Sequence, residues 1–260
     1  MRAFVFKVAT VIRRERVSCF LILLCCTRVL GQDPIENLHL DTAGPERTFG
    51  AQLITANALL APSKAQRALE EAAAAIAHND SKEAEKQLAR ALELYPDYAK
   101  ALTVRATRRM ATARSEAIKD LQHAIQVDPQ YGVPYAVLAG IYNDSERYGD
   151  ALPLLQRALQ LLPIAWPVHY EMARALCGKN QSIEALREVT EAEKRMSADK
   201  AAHPQSVANV HYLRGTLLLV QHEFAEARRE FQTTLNTEPQ GPLATISNRM
   251  IALLEPADIR

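Results

Sequence analysis

The chain has 260 residues, of which 48% are hydrophobic and 6% aromatic, with only 9 glycines. Its 31 basic and 30 acidic residues nearly balance at a formal net charge of +1, which excludes the strongly basic composition of many nucleic-acid-binding proteins. Abundant alanine and leucine with few glycines favour helices over a β-sheet.

The first 31 residues have the order of a secretory signal peptide. The basic segment MRAFVFKVATVIRRERV precedes the apolar stretch SCFLILLCC, and Val29 and Gly31 occupy the small-residue positions before Gln32. The apolar stretch is too short for a mature transmembrane helix. An uncleaved anchor is the alternative, whereas the residues before Cys25 and Cys26 disfavour lipidation. The sequence therefore predicts an exported protein, periplasmic or secreted, whose membrane attachment could only involve an uncleaved or lipidated N-terminus.

The signal pattern predicts the residue at which the mature chain begins. Because the signal pattern ends at Gly31, N-terminal sequencing of periplasmic or secreted protein should begin at or near Gln32. Material from those compartments that begins at Met1 would contradict the prediction.

Removal of residues 1–31 changes both charge and cysteine content. Six basic residues and one acidic residue leave with this segment, so the mature chain carries a formal charge of about −4, which argues against a nucleic-acid partner. Cys177 is the one cysteine that remains, so no internal disulfide can form. Residues 32–62 are polar with scattered proline and glycine, and we predict a mobile leader that ends in a short helix near AQLITANALLA.

A thirteen-residue pattern that opens on alanine and closes on proline recurs through the rest of the chain. The four copies are AEKQLARALELYP, AIKDLQHAIQVDP, ALPLLQRALQLLP and ARREFQTTLNTEP, which begin at Ala84, Ala117, Ala151 and Ala227. A fifth string, ALREVTEAEKRM from Ala185, keeps the alanines without the final proline. The spacing is 33 or 34 residues, except for a step of 42 that contains the lengthened connection SADKAAHPQSV. Such a period indicates stacked two-helix units.

The third unit shows both helices most clearly. Tyr135, Leu138 and Tyr142 share one face of a first helix, Asn143 to Glu146 form a turn, and Ala151, Leu155 and Ala158 lie on one face of a second helix. Small alanines allow the two helices to approach closely. A single pair cannot bury its apolar faces, so the pattern predicts that successive pairs stack.

The third unit resembles the tetratricopeptide repeat family, on the residues Tyr135, Leu138, Ala139, Tyr142, Ala151, Leu155, Ala158 and Pro163. The other units match less fully, with departures at Arg105 and Thr234. The resemblance implies an all-α fold: a right-handed α-solenoid of about five stacked antiparallel helix pairs over residues 63–255, followed by a tail at 256–260. We expect a capping box from Ser63 and Gln66 at the first repeat helix. The segment PLATISNRMIALL should form a C-terminal capping helix.

Motifs for chemistry are absent from the sequence. There is no glycine-rich phosphate loop, and the histidines lack ligand spacing, so we predict no catalytic residue, cofactor or metal site and no small-molecule substrate. The segment HEFAE has Glu226 where a zinc protease needs its second histidine, and we interpret His222 and Glu223 as a turn. Cys177 is interpreted as a small buried hydrophobe rather than a nucleophile.

Function is therefore predicted from the expected shape of the array. In stacked helix pairs the first helices line a concave groove that suits an extended peptide or a helix. Helical projection places nine residues on this partner-binding groove: Lys100, Thr103, Thr107, Asn143, Tyr170, Arg174, Asn209, Tyr212 and Thr216. Packing between repeats is the alternative role for Tyr170 and Tyr212.

A second surface hypothesis concerns the basic segment RATRRMATAR. Its residues Arg105, Arg108, Arg109 and Arg114 could bind an acidic peptide or phospholipid headgroups, or they could form a solvated face whose stems pack on a neighbouring helix.

The sequence thus favours a non-catalytic scaffold of the cell envelope that binds a protein or peptide partner. The alternative is an envelope enzyme, or its regulatory subunit, whose site forms only in three dimensions.

Overall fold

A computed structural model describes residues 56–198 and 202–254, which contain twelve α-helices and no strand. The predicted signal peptide, most of the predicted leader and the predicted C-terminal tail lie outside these ranges. The described chain divides into two compact units, residues 56–171 and 172–254. The helices of the first unit are α1 (Ala56–Leu60), α2 (Ser63–Ala77), α3 (Ser81–Leu94), α4 (Ala99–Arg109), α5 (Arg114–Val127), α6 (Val133–Asp144) and α7 (Tyr148–Leu161). Helix α8 (Trp166–Gly178) contains the boundary, and the second unit continues with α9 (Ser182–Met196), α10 (Pro204–Val220), α11 (Phe224–Thr237) and α12 (Ala244–Leu253).

Consecutive helices pack as pairs, as the repeat pattern predicts. In the first unit α2 packs on α3, α4 on α5 and α6 on α7, and in the second unit α10 packs on α11. The turns within these pairs are short, so paired helices run antiparallel. Neighbouring pairs also touch within each unit, because α3 contacts α4, α5 contacts α6, and α9 contacts α10. The all-α prediction and its helix-pair organisation are confirmed.

The second helices supply a repeated apolar core. The alanine that opens each string is fully buried in all five copies: Ala84, Ala117, Ala151, Ala185 and Ala227. The large residue four positions later is also fully buried: Leu88, Leu121, Leu155, Val189 and Phe231. A fixed i, i+4 spacing puts both residues on the same helix face. The opening alanine and the large residue four positions later therefore mark the buried face of each second helix.

Four of the five turns inside the pairs contain a left-handed residue, and the turn between α4 and α5 does not. Asn79, Glu146, Asn180 and His222 have φ values of 56, 57, 61 and 65°. Each follows the first helix of its repeat, where such a conformation ends a helix and redirects the chain. Asparagine and histidine adopt this region more readily than glutamate. His222 thus lies in a turn, as predicted for HEFAE.

The start of the array differs from the expected capping box. Ser63 is already the first helical residue of α2, and Pro62 occupies the N-cap without a side-chain bond. The Gln66 side chain instead donates to the carbonyl oxygen of Ala61 at 2.8 Å. Pro62 has φ −56° and ψ 142°, a non-helical N-cap geometry whose φ is fixed by the proline ring. The capping-box prediction is wrong because the glutamine bonds backward to the chain that enters the helix.

Helix α1 is tied to the second repeat by a side chain. The Asn57 amide donates to the Asp97 carbonyl oxygen at 2.8 Å, and its oxygen accepts from the Ala99 N–H at 3.0 Å. Ala99 is the first residue of α4 and carries one of the N–H groups that a helix leaves unpaired. Asn57 therefore satisfies a helix terminus 42 residues later in the chain.

The last helix closes the apolar core of the second unit. Leu243 belongs to a buried cluster with Tyr212, Ala227 and Phe231, and the α12 residues Ile246, Met250 and Ile251 pack against this cluster. A repeat array exposes its last apolar face unless such a helix covers it. The predicted C-terminal capping helix is present.

No helix within residues 56–198 and 202–254 combines the length and the apolar character that a bilayer span requires.

Candidate functional site

The groove residues of the second repeat lie on α4. Lys100 and Thr107 are partly exposed, whereas Thr103 is buried. The Thr103 hydroxyl donates to the Ala99 carbonyl oxygen at 2.7 Å, and that of Thr107 donates to the Thr103 carbonyl oxygen at 2.9 Å. Both hydroxyl protons are thus used within the helix. Among the three predicted groove residues of α4, only Lys100 has a charged side chain.

Asn143 joins α6 to α8 through a buried polar contact. Its amide nitrogen donates to the Glu171 carboxylate at 2.7 Å and to the Glu171 carbonyl oxygen at 3.0 Å. Both residues are buried, Glu171 completely. A buried carboxylate requires such donors, since its desolvation is costly. Sequence reasoning missed Glu171, which lies 28 residues from its partner and carries no motif.

Tyr170 and Tyr212 are fully buried, and Arg174 is partly exposed. The Tyr212 ring packs on Phe231 of α11, with centroids 5.6 Å apart and planes inclined by 60°. Such a tilted arrangement is favourable for aromatic pairs. For Tyr212 the packing role, which the sequence left open, is therefore present in the structure.

Two further α10 residues of the predicted groove are also buried. Asn209 accepts a hydrogen bond from the Gln205 side chain at 3.0 Å, and the Thr216 hydroxyl donates to the Tyr212 carbonyl oxygen at 2.9 Å. These contacts hold polar atoms in place along one helix.

The expectation that all nine residues occupy an open face is wrong for six of them: Thr103, Asn143, Tyr170, Asn209, Tyr212 and Thr216 are buried. The reason is visible in α6 and α10, where buried residues occur around the whole circumference. A helical projection identifies which residues share a face but not whether that face is covered. Lys100, Thr107 and Arg174 keep partial exposure. The binding role of the nine residues stays a prediction.

Three solved structures share this architecture. TTC0263, a thermophilic tetratricopeptide repeat (TPR) protein of Thermus thermophilus, superposes with a TM-score of 0.55 at 18% identity, covering 73% of this chain and 98% of its own. YrrB, described as a TPR protein with an unusual peptide-binding site, gives a TM-score of 0.51 at 19% identity over 73% of this chain and 99% of its own. MamA of Desulfovibrio magneticus RS-1, from residue 41 onward, gives 0.55 at 13% identity over 69% and 97%.

The chain has the TPR fold. The resemblance found in the sequence is thus confirmed at the level of the fold. No protein-family model and no curated protein sequence matches the chain.

The arginines of the basic segment RATRRMATAR form ion pairs with carboxylates of neighbouring helices. Arg105 makes a bidentate contact with Asp120 of α5, with both distances 2.7 Å, which raises the pKa of its guanidinium. Arg109 lies 3.0 Å from Glu85 of α3. Arg105 stands close to where the tetratricopeptide pattern usually has a leucine or a small residue, and its contact with Asp120 crosses from α4 to α5. This favours the packed, solvated face over a headgroup site.

A second polar cluster lies between the last two TPR repeats and was not predicted. Arg214 of α10 lies 2.6 Å from Glu193 of α9 and 2.9 Å from Glu230 of α11. His211 Nδ1 lies 2.8 Å from Glu230 Oε2 and 4.0 Å from Glu193 Oε1. His211 is 18 residues from one glutamate and 19 from the other. The group therefore has no local ligand spacing that could be recognised in the sequence. Only the packing of three helices brings these side chains together.

Proposed function

We propose that the chain is a non-catalytic scaffold of the cell envelope that binds a protein or peptide partner along the first helices of its repeats. The observation that carries the proposal is the TPR fold itself, whose helix pairs stack within each described unit. Stacked pairs are rigid and present long surfaces, which lowers the entropic cost of holding an extended ligand. The peptide-binding site named for YrrB supports a peptide as the partner.

The signal pattern of residues 1–31 supports the envelope location. In the second unit, Arg174 is the predicted groove residue that combines a charge with partial exposure. Arginine is enriched among the residues that anchor protein interfaces and binds carboxylates through two parallel hydrogen bonds. We therefore propose that Arg174 contacts an acidic or carboxylate group of the partner.

Arg174→Ala tests this role. Peptides selected from a displayed random library on the wild-type protein should bind the variant about tenfold more weakly, or ~1.4 kcal/mol, by isothermal titration calorimetry. Tyr170 is unsuitable for this test, since removal of a fully buried ring lowers stability as well as binding.

Gln156→Ala is the matched control, because Gln156 is exposed on the second helix α7. It should bind the selected peptides with wild-type affinity. Enrichment of no peptide, or equal affinity of Arg174→Ala and wild type, would contradict the proposal. A thermal melt of each variant separates loss of binding from loss of fold.

A further inference from the structure

We propose that Glu193, His211 and Glu230 form a binding site for a divalent transition-metal ion of the zinc type. The three residues lie on consecutive helices of the second unit, α9, α10 and α11. Within the described parts of the chain, this is the one group of three metal-ligating side chains whose donor atoms all lie within 4.8 Å of one another. The site is separate from the proposed partner-binding residues and does not depend on their role.

The donor atoms are near the spacing that a small cation imposes. Zinc bonds of about 2.0 Å at tetrahedral angles place neighbouring donors about 3.3 Å apart. His211 Nδ1 is 2.8 Å from Glu230 Oε2 and 4.0 Å from Glu193 Oε1. To meet that geometry the first distance must lengthen by about 0.5 Å and the second must shorten by about 0.7 Å. Side-chain rotations of this size need no movement of the helices.

Arg214 orients both carboxylates toward the histidine. Its Nη1 lies 2.6 Å from Glu193 Oε2 and 2.9 Å from Glu230 Oε1. One oxygen of each glutamate is thereby held by the guanidinium, while the other oxygen is the one nearest His211 Nδ1. Carboxylate ligands of metal sites are commonly fixed by an outer hydrogen-bond donor in this manner. Arg214 also lies three residues after His211, on the same face of α10.

The net charge and the donor atoms of the cluster favour a zinc-type ion over Ca²⁺ or Mg²⁺. With a neutral imidazole, the two carboxylates and Arg214 have a net charge of −1. This small negative charge attracts Ca²⁺ and Mg²⁺ only weakly, because these ions are held mainly by charge and by many oxygen ligands. An imidazole nitrogen with two carboxylate oxygens suits zinc and its neighbours in the first transition row. Three protein ligands leave the fourth position of a tetrahedron to water.

The site is accessible to an ion from solution. The side chains of Glu193, His211 and Glu230 keep 28, 14 and 13% of their exposure. Binding requires that Nδ1 release the hydrogen bond to Glu230 and present its lone pair, with the ring proton on the other nitrogen. The bound ion would then link α9, α10 and α11, and would stabilise the folded state by mass action.

Zinc chloride added to the full-length chain without an affinity tag tests the site. Isothermal titration calorimetry should show one zinc ion bound per chain, the melting temperature should rise, and a chelator should reverse the rise. CaCl₂ and MgCl₂ at the same concentration should produce no shift. His211→Gln should weaken zinc binding by roughly tenfold or more and abolish the thermal shift.

His123→Gln is the matched control. His123 Nε2 lies 2.8 Å from Asp97, so it has a single carboxylate partner and no second one in the described contacts. This variant should bind zinc as the wild type does. Equal zinc binding by His211→Gln and wild type, or no binding by the wild type, would overturn the proposal. Melts without zinc show whether His211→Gln folds, and Glu193→Gln supplies an independent ligand variant if it does not.

Discussion

Replacing Phe231 with alanine is expected to lower the free energy of unfolding by about 3–5 kcal/mol. Phe231 is fully buried in the core cluster that joins α10, α11 and α12, and its ring packs on Tyr212. A Cβ atom added at Gly215 would lie only 3.1 Å from this ring, so the ring and the α10 backbone are in close contact. Loss of the ring would leave a cavity that this tight packing cannot close. Urea denaturation followed by circular dichroism measures the change.

Phe224→Ala provides the control within the same helix. Phe224 is 37% exposed at the first position of α11 and contacts the His222 ring edge-on. Its removal should change the free energy of unfolding by less than about 1 kcal/mol. Equal losses for the two phenylalanines would show that the core is not centred on Phe231.

Ala139→Leu and Ala158→Leu should each cost roughly 1–3 kcal/mol of stability. Both alanines are fully buried, on the two helices α6 and α7 that pack as the third repeat pair. A leucine at either fully buried position must displace its neighbours. Thermal melts of the two variants measure the effect.

Ala74→Leu is the matched substitution at an exposed position of α2. Its effect on stability should stay within about 0.5 kcal/mol. If the buried and exposed variants melted together with the wild type, the register assigned to the third repeat would be contradicted.

The sequence predicts the helix pairs well because each one repeats a local physical requirement. The five alanines that open the second-helix strings, such as Ala84 and Ala227, all lie at fully buried positions. Close approach of two helices requires small side chains at fixed spacing, and this constraint is visible within one repeat. The same holds for the capping helix, where apolar residues recur at helical spacing after Pro242.

The candidate site is less predictable, because its residues depend on contacts that no single repeat contains. Helical projection places Tyr212 beside Thr216, but it cannot reveal that the tyrosine ring packs on Phe231 of the next helix. His211 likewise meets Glu193 and Glu230 only after three helices have packed. A motif search relies on short spacings along the chain, and the separations here reflect the length of a helix plus a turn.

The contact made by Asn57 has a consequence for where a soluble fragment of this chain can begin. Repeat counting would start an expressed fragment at Ser63, the first residue of α2. Such a fragment would lose the side-chain amide that accepts from the Ala99 N–H and donates to the Asp97 carbonyl oxygen. The Ala99 N–H at the start of α4 would then lose its protein acceptor and would have to bond to water instead. The shortest fragment that keeps the second repeat intact therefore begins upstream of Asn57, before the first residue that the repeat pattern itself includes.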